Sequence, residues 1–220
     1  MKKIYVLVFV LIFYAFSPAY SEENGSFEFS LGLKGVTGAG FFLGKGWEHE
    51  LSRYGLDNNP VITFGGIFLL DMNLARAGAF NFGIQPEALF CKTGGLASID
   101  SDDFDYYSLW IADISLYLKP GARTEKCDVF ILIGPSVCMP LTDIDGTYSY
   151  NDHKIDDDIR PDYDYCIGMG AGIGVDIPMG IGKLEIALVY KTYFTSYRDD
   201  YDLLQNMVIL SLGYSFTVVK

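Results

Sequence analysis

Histidine is nearly absent. Only His49 and His153 occur in 220 residues, in the polar stretches "WEHE" and "NDHK", and no nucleophile motif accompanies either. Catalysis built on a histidine base is therefore not expected, and the chain is read as a non-enzyme. Basic residues are scarce too. Sixteen Lys and Arg stand against 28 Asp and Glu, a net charge of −12, which excludes the basic face a nucleic-acid binder needs. Cysteine is limited to Cys91, Cys127, Cys138 and Cys166, with no C-x₂-C pair to suggest a metal centre. Beyond the N-terminal region no apolar run is long enough for a transmembrane helix. Phosphate loops are missing as well. The glycine series from Gly168 to Gly172 puts Ile173 where a dinucleotide fingerprint needs its last glycine, and "GKG" at 44–46 lacks both the leading glycine and the Ser/Thr of a P-loop. No cofactor is expected.

What the chain has in quantity is strand and turn material: 50% hydrophobic residues, sixteen Tyr, sixteen Phe and 24 Gly. Residues 1–21 read as a cleaved secretory signal peptide. "MKK" is its basic start, 4–16 its apolar run, and Ala19 and Ser21 its small residues before a cut ahead of Glu22. Residues 22–220 read as one domain.

Along that domain apolar residues alternate with polar or small ones for about ten residues at a time, the period of a strand. Eight such stretches occur: 27–33 with its extension, 62–74, 80–90, 108–118, 129–139, 165–177, 184–194 and 206–218. The connections between them, 43–60, 75–79, 92–107, 119–128, 141–163, 178–182 and 198–205, tend to alternate between long and short, as in an outer-membrane barrel with short periplasmic turns and longer outer loops. The polar side carries Glu28, Lys34, Asp71, Gln85, Glu87, Asp113, Asp176, Glu185 and Lys191, opposite a continuous apolar band. A soluble barrel would bury that band. A membrane barrel turns it outward and closes on itself, so that no backbone group is left unpaired in lipid. Phe27, Phe82, Trp110, Tyr190 and Tyr214, near the ends of the band, suit an aromatic belt at the interfaces. The fold expected is therefore an all-β, eight-stranded antiparallel up-and-down transmembrane barrel.

Eight strands enclose a lumen that side chains can fill. Glycines at 168, 170, 172 and 174 on one side of the sixth strand then make room for large neighbours. If Cys138 and Cys166 face each other, Leu132 opposes Gly172 and Phe130 opposes Gly174. The two cysteines are then either a disulfide, which needs Cα atoms about 5.5–6 Å apart, or two small buried apolar residues. Within the lumen Glu28, Lys34, Asp71, Glu87, Asp113, Glu185 and Lys191 are expected to pair and plug the barrel, since isolated buried charge is costly. The acidic stretches at 98–105, 142–165 and 198–202 would share the outer rim, as a solvated surface or as a divalent-cation site.

The pieces "LWIADISLYLKP", "LIGPSV", "GAGIGVDIP", "LEIALVYKTYF" and "LSLGYSF" occur in an order that resembles the PorT-like outer-membrane β-barrel domain family, over about residues 25–220. The resemblance implies an up-and-down barrel akin to the OmpX- and OmpA-like small barrels. It departs at the C-terminus, where Phe216 is followed by "TVVK" rather than ending the chain. The role expected is structural or surface-interacting, with acidic loops outside. The alternatives are a narrow channel for small apolar molecules and a periplasmic barrel-shaped binding protein. The expected partners are outer-membrane lipid, the barrel assembly machinery during insertion and an extracellular or host ligand, with the chain itself a monomer.

Overall fold

The computed structural model describes residues 28–54, 57–98, 104–150, 153–159, 165–196 and 204–219. The expected signal peptide and Phe27 lie outside these residues. Eleven strands and one helix follow in order. They are β1 (Glu28–Leu43), α1 (Lys45–Tyr54), β2 (Asp57–Asn59), β3 (Val61–Ala77), β4 (Phe80–Ser98), β5 (Phe104–Arg123), β6 (Asp128–Pro140), β7 (Ile144–Tyr150), β8 (His153–Ile159), β9 (Cys166–Met179), β10 (Gly182–Tyr193) and β11 (Leu204–Val219).

Eight of the strands form a closed antiparallel ring in the order β1-β3-β4-β5-β6-β9-β10-β11 and back to β1. Closure is what removes the two unpaired edges of an open sheet. Two of the turns at one end contain two residues, Gly78-Ala79 and Gly180-Ile181. Their glycines sit at φ +60, a backbone state that costs glycine little and other residues much. The third turn at that end spans 124–127 and is held by Thr124, whose backbone N–H donates to the Cys127 carbonyl at 2.8 Å. The short turns define this end as periplasmic.

The eight expected strands coincide with the ring, but each one runs longer. β4 and β5 together extend through most of the expected loop 92–107, pairing from Phe80↔Ala122 out to Ser98↔Phe104. The expected loop 141–163 contains β7 and β8, a hairpin whose first strand pairs with the outer part of β5. The expected loop 43–60 contains α1 and β2. A bilayer needs only about 9–11 residues of tilted strand. Beyond it both faces of a strand meet water or protein, so the alternation that marks a strand in the sequence fades while the backbone ladder continues.

The wall faces as the period-two pattern requires. Leu33, Ile62, Phe64, Phe68, Phe90, Ile114, Ile131, Ile173, Leu188, Leu210 and Leu212 all project outward and are exposed. Ile62 reaches 73% and Leu33 68%, values no water-facing barrel would repeat around its whole circumference. This overturns the periplasmic alternative: the oily side is the outside. Trp110 packs edge-on against Phe64 across the wall, ring centroids 5.9 Å apart, and Tyr214 against Phe216 at 4.8 Å. Phe82, Trp110 and Tyr190 of the expected belt are exposed on this surface, and Tyr214 is half-buried there, its hydroxyl donating to the Met179 carbonyl at 2.5 Å.

Candidate functional site: the lumen

The inward side is not charged along its whole length. It changes character along the barrel. Toward the outer end Phe42, Leu89, Leu109, Ile111, Met207, Ile209 and the thiols of Cys91, Cys138 and Cys166 pack into one buried apolar cluster, with Leu51 of α1 partly buried against it. These residues interrupt a parity that is charged further down the same strands. Glu87 gives way to Leu89 and Cys91 on β4, and Asp113 to Ile111 and Leu109 on β5. A filled lumen can be lined with either chemistry, because no water has to pass it.

Toward the periplasmic end the lumen is held by ion pairs. Lys34 Nζ donates to Glu87 Oε1 and to Glu185 Oε1, each at 2.6 Å, and Gln85 Nε2 donates to the same two oxygens at 2.8 and 3.0 Å. Lys119 Nζ reaches Asp71 Oδ2 at 3.0 Å, Asp176 Oδ2 at 2.9 Å and Glu185 Oε2 at 3.4 Å, and lies 4.0 Å from the centre of the Phe130 ring. Lys183 Nζ pairs with Asp71 Oδ2 and, at 3.3 Å, with Asp176 Oδ2. Strand register explains the convergence. Lys34 pairs with Gly213, Gly213 with Glu185, and Glu185 with Asp176, so one row crosses four strands.

An apolar layer of Tyr117, Phe130, Leu132, Ala187 and Val189 follows. Above it lies a second polar layer. Lys191 Nζ pairs with Asp113 Oδ1 and donates to Ser115 Oγ at 2.6 Å; Ser115 Oγ donates to Asp113 Oδ1 at 2.7 Å and Tyr193 Oη to Asp113 Oδ2 at 2.8 Å. Each of these charges is buried, so the pairing is what keeps them there.

The glycine series on β9 serves this packing. The register places Leu132 opposite Gly172, Phe130 opposite Gly174 and Cys138 opposite Cys166. A Cβ on Gly170 would lie 2.5 Å from Tyr117 Oη, and one on Gly174 would enter the Phe130 ring. The large side chains of β5 and β6 therefore occupy the space the glycines leave. Cys138 and Cys166 are both buried and face each other across the β6–β9 ladder.

Of the lumen residues singled out from sequence, Lys34, Asp71, Glu87 and Glu185 belong to the lower network, and Asp113 and Lys191 form the upper pair. Glu28 stands apart, bonded to Arg76 Nη2 at 2.5 Å near the periplasmic mouth. Sequence reasoning missed Lys119 and Lys183 because it ended one strand at Leu118 and began another at Leu184. Carrying the odd-numbered parity one step further on each would have placed both inside. His49 lies on α1, exposed, rather than in a loop; His153 begins β8. The side chains of the acidic stretches at 98–105, 145–164 and 198–202 lie outside the described residues.

Below the network a cavity of about 620 Å³ opens at the periplasmic turns. Its wall includes Glu28, Asp71, Arg76, Lys119, Arg123, Asp128, Asp176 and Lys183. That wall carries four carboxylates and four cations. Carboxylate oxygens of Asp71, Asp176 and Glu185 lie within 4.8 Å of one another, a spacing a metal ion could bridge. Lys119 already touches all three residues and Lys183 two of them, so ammonium groups stand where the ion would.

A closed ring of this strand number, oily outside and filled within, is the architecture of a small outer-membrane β-barrel, and the outer membrane is the compartment it fits. No family model matches the chain. No curated protein matches it. Solved structures do. The outer membrane protein OprG from Pseudomonas aeruginosa aligns with a TM-score of 0.51 at 10% identity, covering 90% of this chain and 98% of that one. Ail, the attachment invasion locus protein of Yersinia pestis, aligns at 0.40 with 13% identity, covering 88% and 100%. The outer membrane protease OmpT from Escherichia coli also aligns at 0.40, with 9% identity over 91% and 99%. At these identities the likeness concerns fold.

Proposed function

We propose that the protein is a non-conducting outer-membrane anchor whose work is done by what it displays outside, a structural or surface-interaction role without catalysis. The observation that supports this is the filled lumen. From Lys34 to Lys191 the interior charges are buried and paired, and the outer apolar cluster leaves its members almost wholly covered. A conduction path needs a wetted route, and wider barrels provide one. The same packing counts against a narrow channel for apolar molecules, since the apolar lining is occupied by itself. The extended β4–β5 and β7–β8 strands carry the chain well past the bilayer, which suits contact with an extracellular or host ligand. The ordered motifs between residues 108 and 216 favour kinship with the PorT-like group. Lipid and the assembly machinery are the partners such an anchor requires, and a monomer suffices.

Reconstitution into planar bilayers tests this reading. The refolded barrel is expected to give no steady single-channel current, and liposomes containing it should not swell with small sugars. Stable conductance above the bare bilayer would overturn the closed-anchor reading.

A further inference from the structure

β6 and β9 are neighbours in the wall, yet the chain between them, 141–165, is longer than any other connection between consecutive ring strands and carries the β7–β8 hairpin. Bringing such distant strands together costs more loop-closure entropy than closing a short turn. Their ladder nevertheless runs without a break from Asp128↔Asp176 to Cys138↔Cys166. The two cysteines form its last rung at the outer end, where the chain leaves for the hairpin and returns. Directly opposed residues of an antiparallel pair have Cα atoms about 4.5 or 5.5 Å apart, and a disulfide accepts about 4.4–6.8 Å. Both side chains are buried in the same inward apolar cluster, so they leave the ladder on one side. Cys91 shares that cluster but faces Gly65 and Ile111, and Cys127 lies in the turn 124–127 at the other end. Register therefore singles out one pairing.

We propose that Cys138 and Cys166 are oxidised to a disulfide that staples the base of the β7–β8 hairpin. An outer-membrane chain passes through the periplasm, where dithiol oxidants carrying a reactive disulfide act on exported thiols. Both cysteines are at 0% exposure in the closed ring, so the exchange takes place before the wall closes over them. One cysteine thiolate attacks the oxidant's disulfide and forms a mixed disulfide. The second thiolate then attacks the first cysteine's sulfur and displaces the oxidant, which leaves as a dithiol. The chain gives up two protons and two electrons, and the oxidant takes them up. The new bond fixes the register in which Leu132 meets Gly172 and Phe130 meets Gly174 before the lumen is packed. The staple is independent of whether the barrel conducts.

The experiment exports the full chain to the outer membrane of a diderm host whose periplasm contains dithiol oxidases. N-ethylmaleimide blocks free thiols while the barrel is unfolded, and its peptides are mapped by mass spectrometry without reductant. The peptide carrying Cys138 is expected joined to the one carrying Cys166, with the mass of two hydrogens lost. Maleimide adducts at both positions, or a link from either to Cys91 or Cys127, would overturn the pairing. Stapling is read by limited proteolysis within 141–165 of the folded barrel. Cys138→Ala/Cys166→Ala should be cut roughly tenfold faster than the oxidised wild type, since the closed loop loses its constraint. Equal cutting of the folded variant would overturn the staple. If that variant does not fold, wild-type chain refolded with reductant takes its place in the comparison.

Discussion

Lys191 and Asp113 offer the cleanest measure of what the interior charges contribute, because the pair stands apart from the larger network. Lys191→Met removes the ammonium and leaves Asp113 at 1% exposure. The carboxylate keeps two donors, Ser115 Oγ at 2.7 Å and Tyr193 Oη at 2.8 Å, so the cost should fall near 3 kcal/mol, the lower end of about 3–5 for breaking a buried pair. Asp113→Asn leaves the Lys191 ammonium buried with hydroxyl and amide oxygens but no counter-charge, and should cost about 4–5 kcal/mol. The double variant buries no charge in this layer. Asn still accepts from Tyr193, and Met fills the volume of the lysine stem, so it should lie within about 1–2 kcal/mol of wild type. Urea unfolding in lipid, followed by fluorescence of Trp110 and by heat-modifiable gel migration, measures all four corners. Single variants within 1 kcal/mol of wild type, or a double variant whose loss equals the sum of the two, would refute the view that mutual neutralisation holds this layer together.

Two further outcomes follow from the packing. Gly170→Val brings a side chain against Tyr117, whose Oη lies 2.5 Å from the position of a Cβ, and should destabilise by about 1–3 kcal/mol in the same unfolding assay; Tyr117→Ala in the same chain should recover most of the loss. Cys127, half-buried in a turn, should react with maleimide in the folded barrel while Cys91, Cys138 and Cys166, all at 0% exposure, are protected. Unfolding without reductant should then label Cys91 alone, whereas labels at Cys138 and Cys166 as well would mean that the two are not joined.

The wall of this barrel was written in local order. Alternation at 62–74 or 206–218 needs nothing beyond the two-residue period of a strand, and it placed the correct side chains toward lipid. The inward register of β6 against β9 was legible for a related reason: four consecutive small positions on one side of 165–177 needed large partners, and Phe130 and Leu132 were in reach. Lumen charges such as Lys34 and Glu185 could be assigned to the interior by parity alone. Which carboxylate each cation meets could not, because that depends on how the ring closes and how far each strand is offset from the next. Lys34 and Glu185 are 151 positions apart, and only the row of register that passes through Gly213 brings them together.

The sequence by itself determined strand, direction and facing, since side-chain alternation is a property of each strand alone. Tertiary structure decided the rest. The apolar outer half of the lumen, the reach of β4, β5 and the β7–β8 hairpin beyond the bilayer, and the polar cavity below Lys119 and Lys183 all arise where residues distant in the chain share one enclosed volume. There the number of neighbours, not the period of the pattern, sets which chemistry is stable.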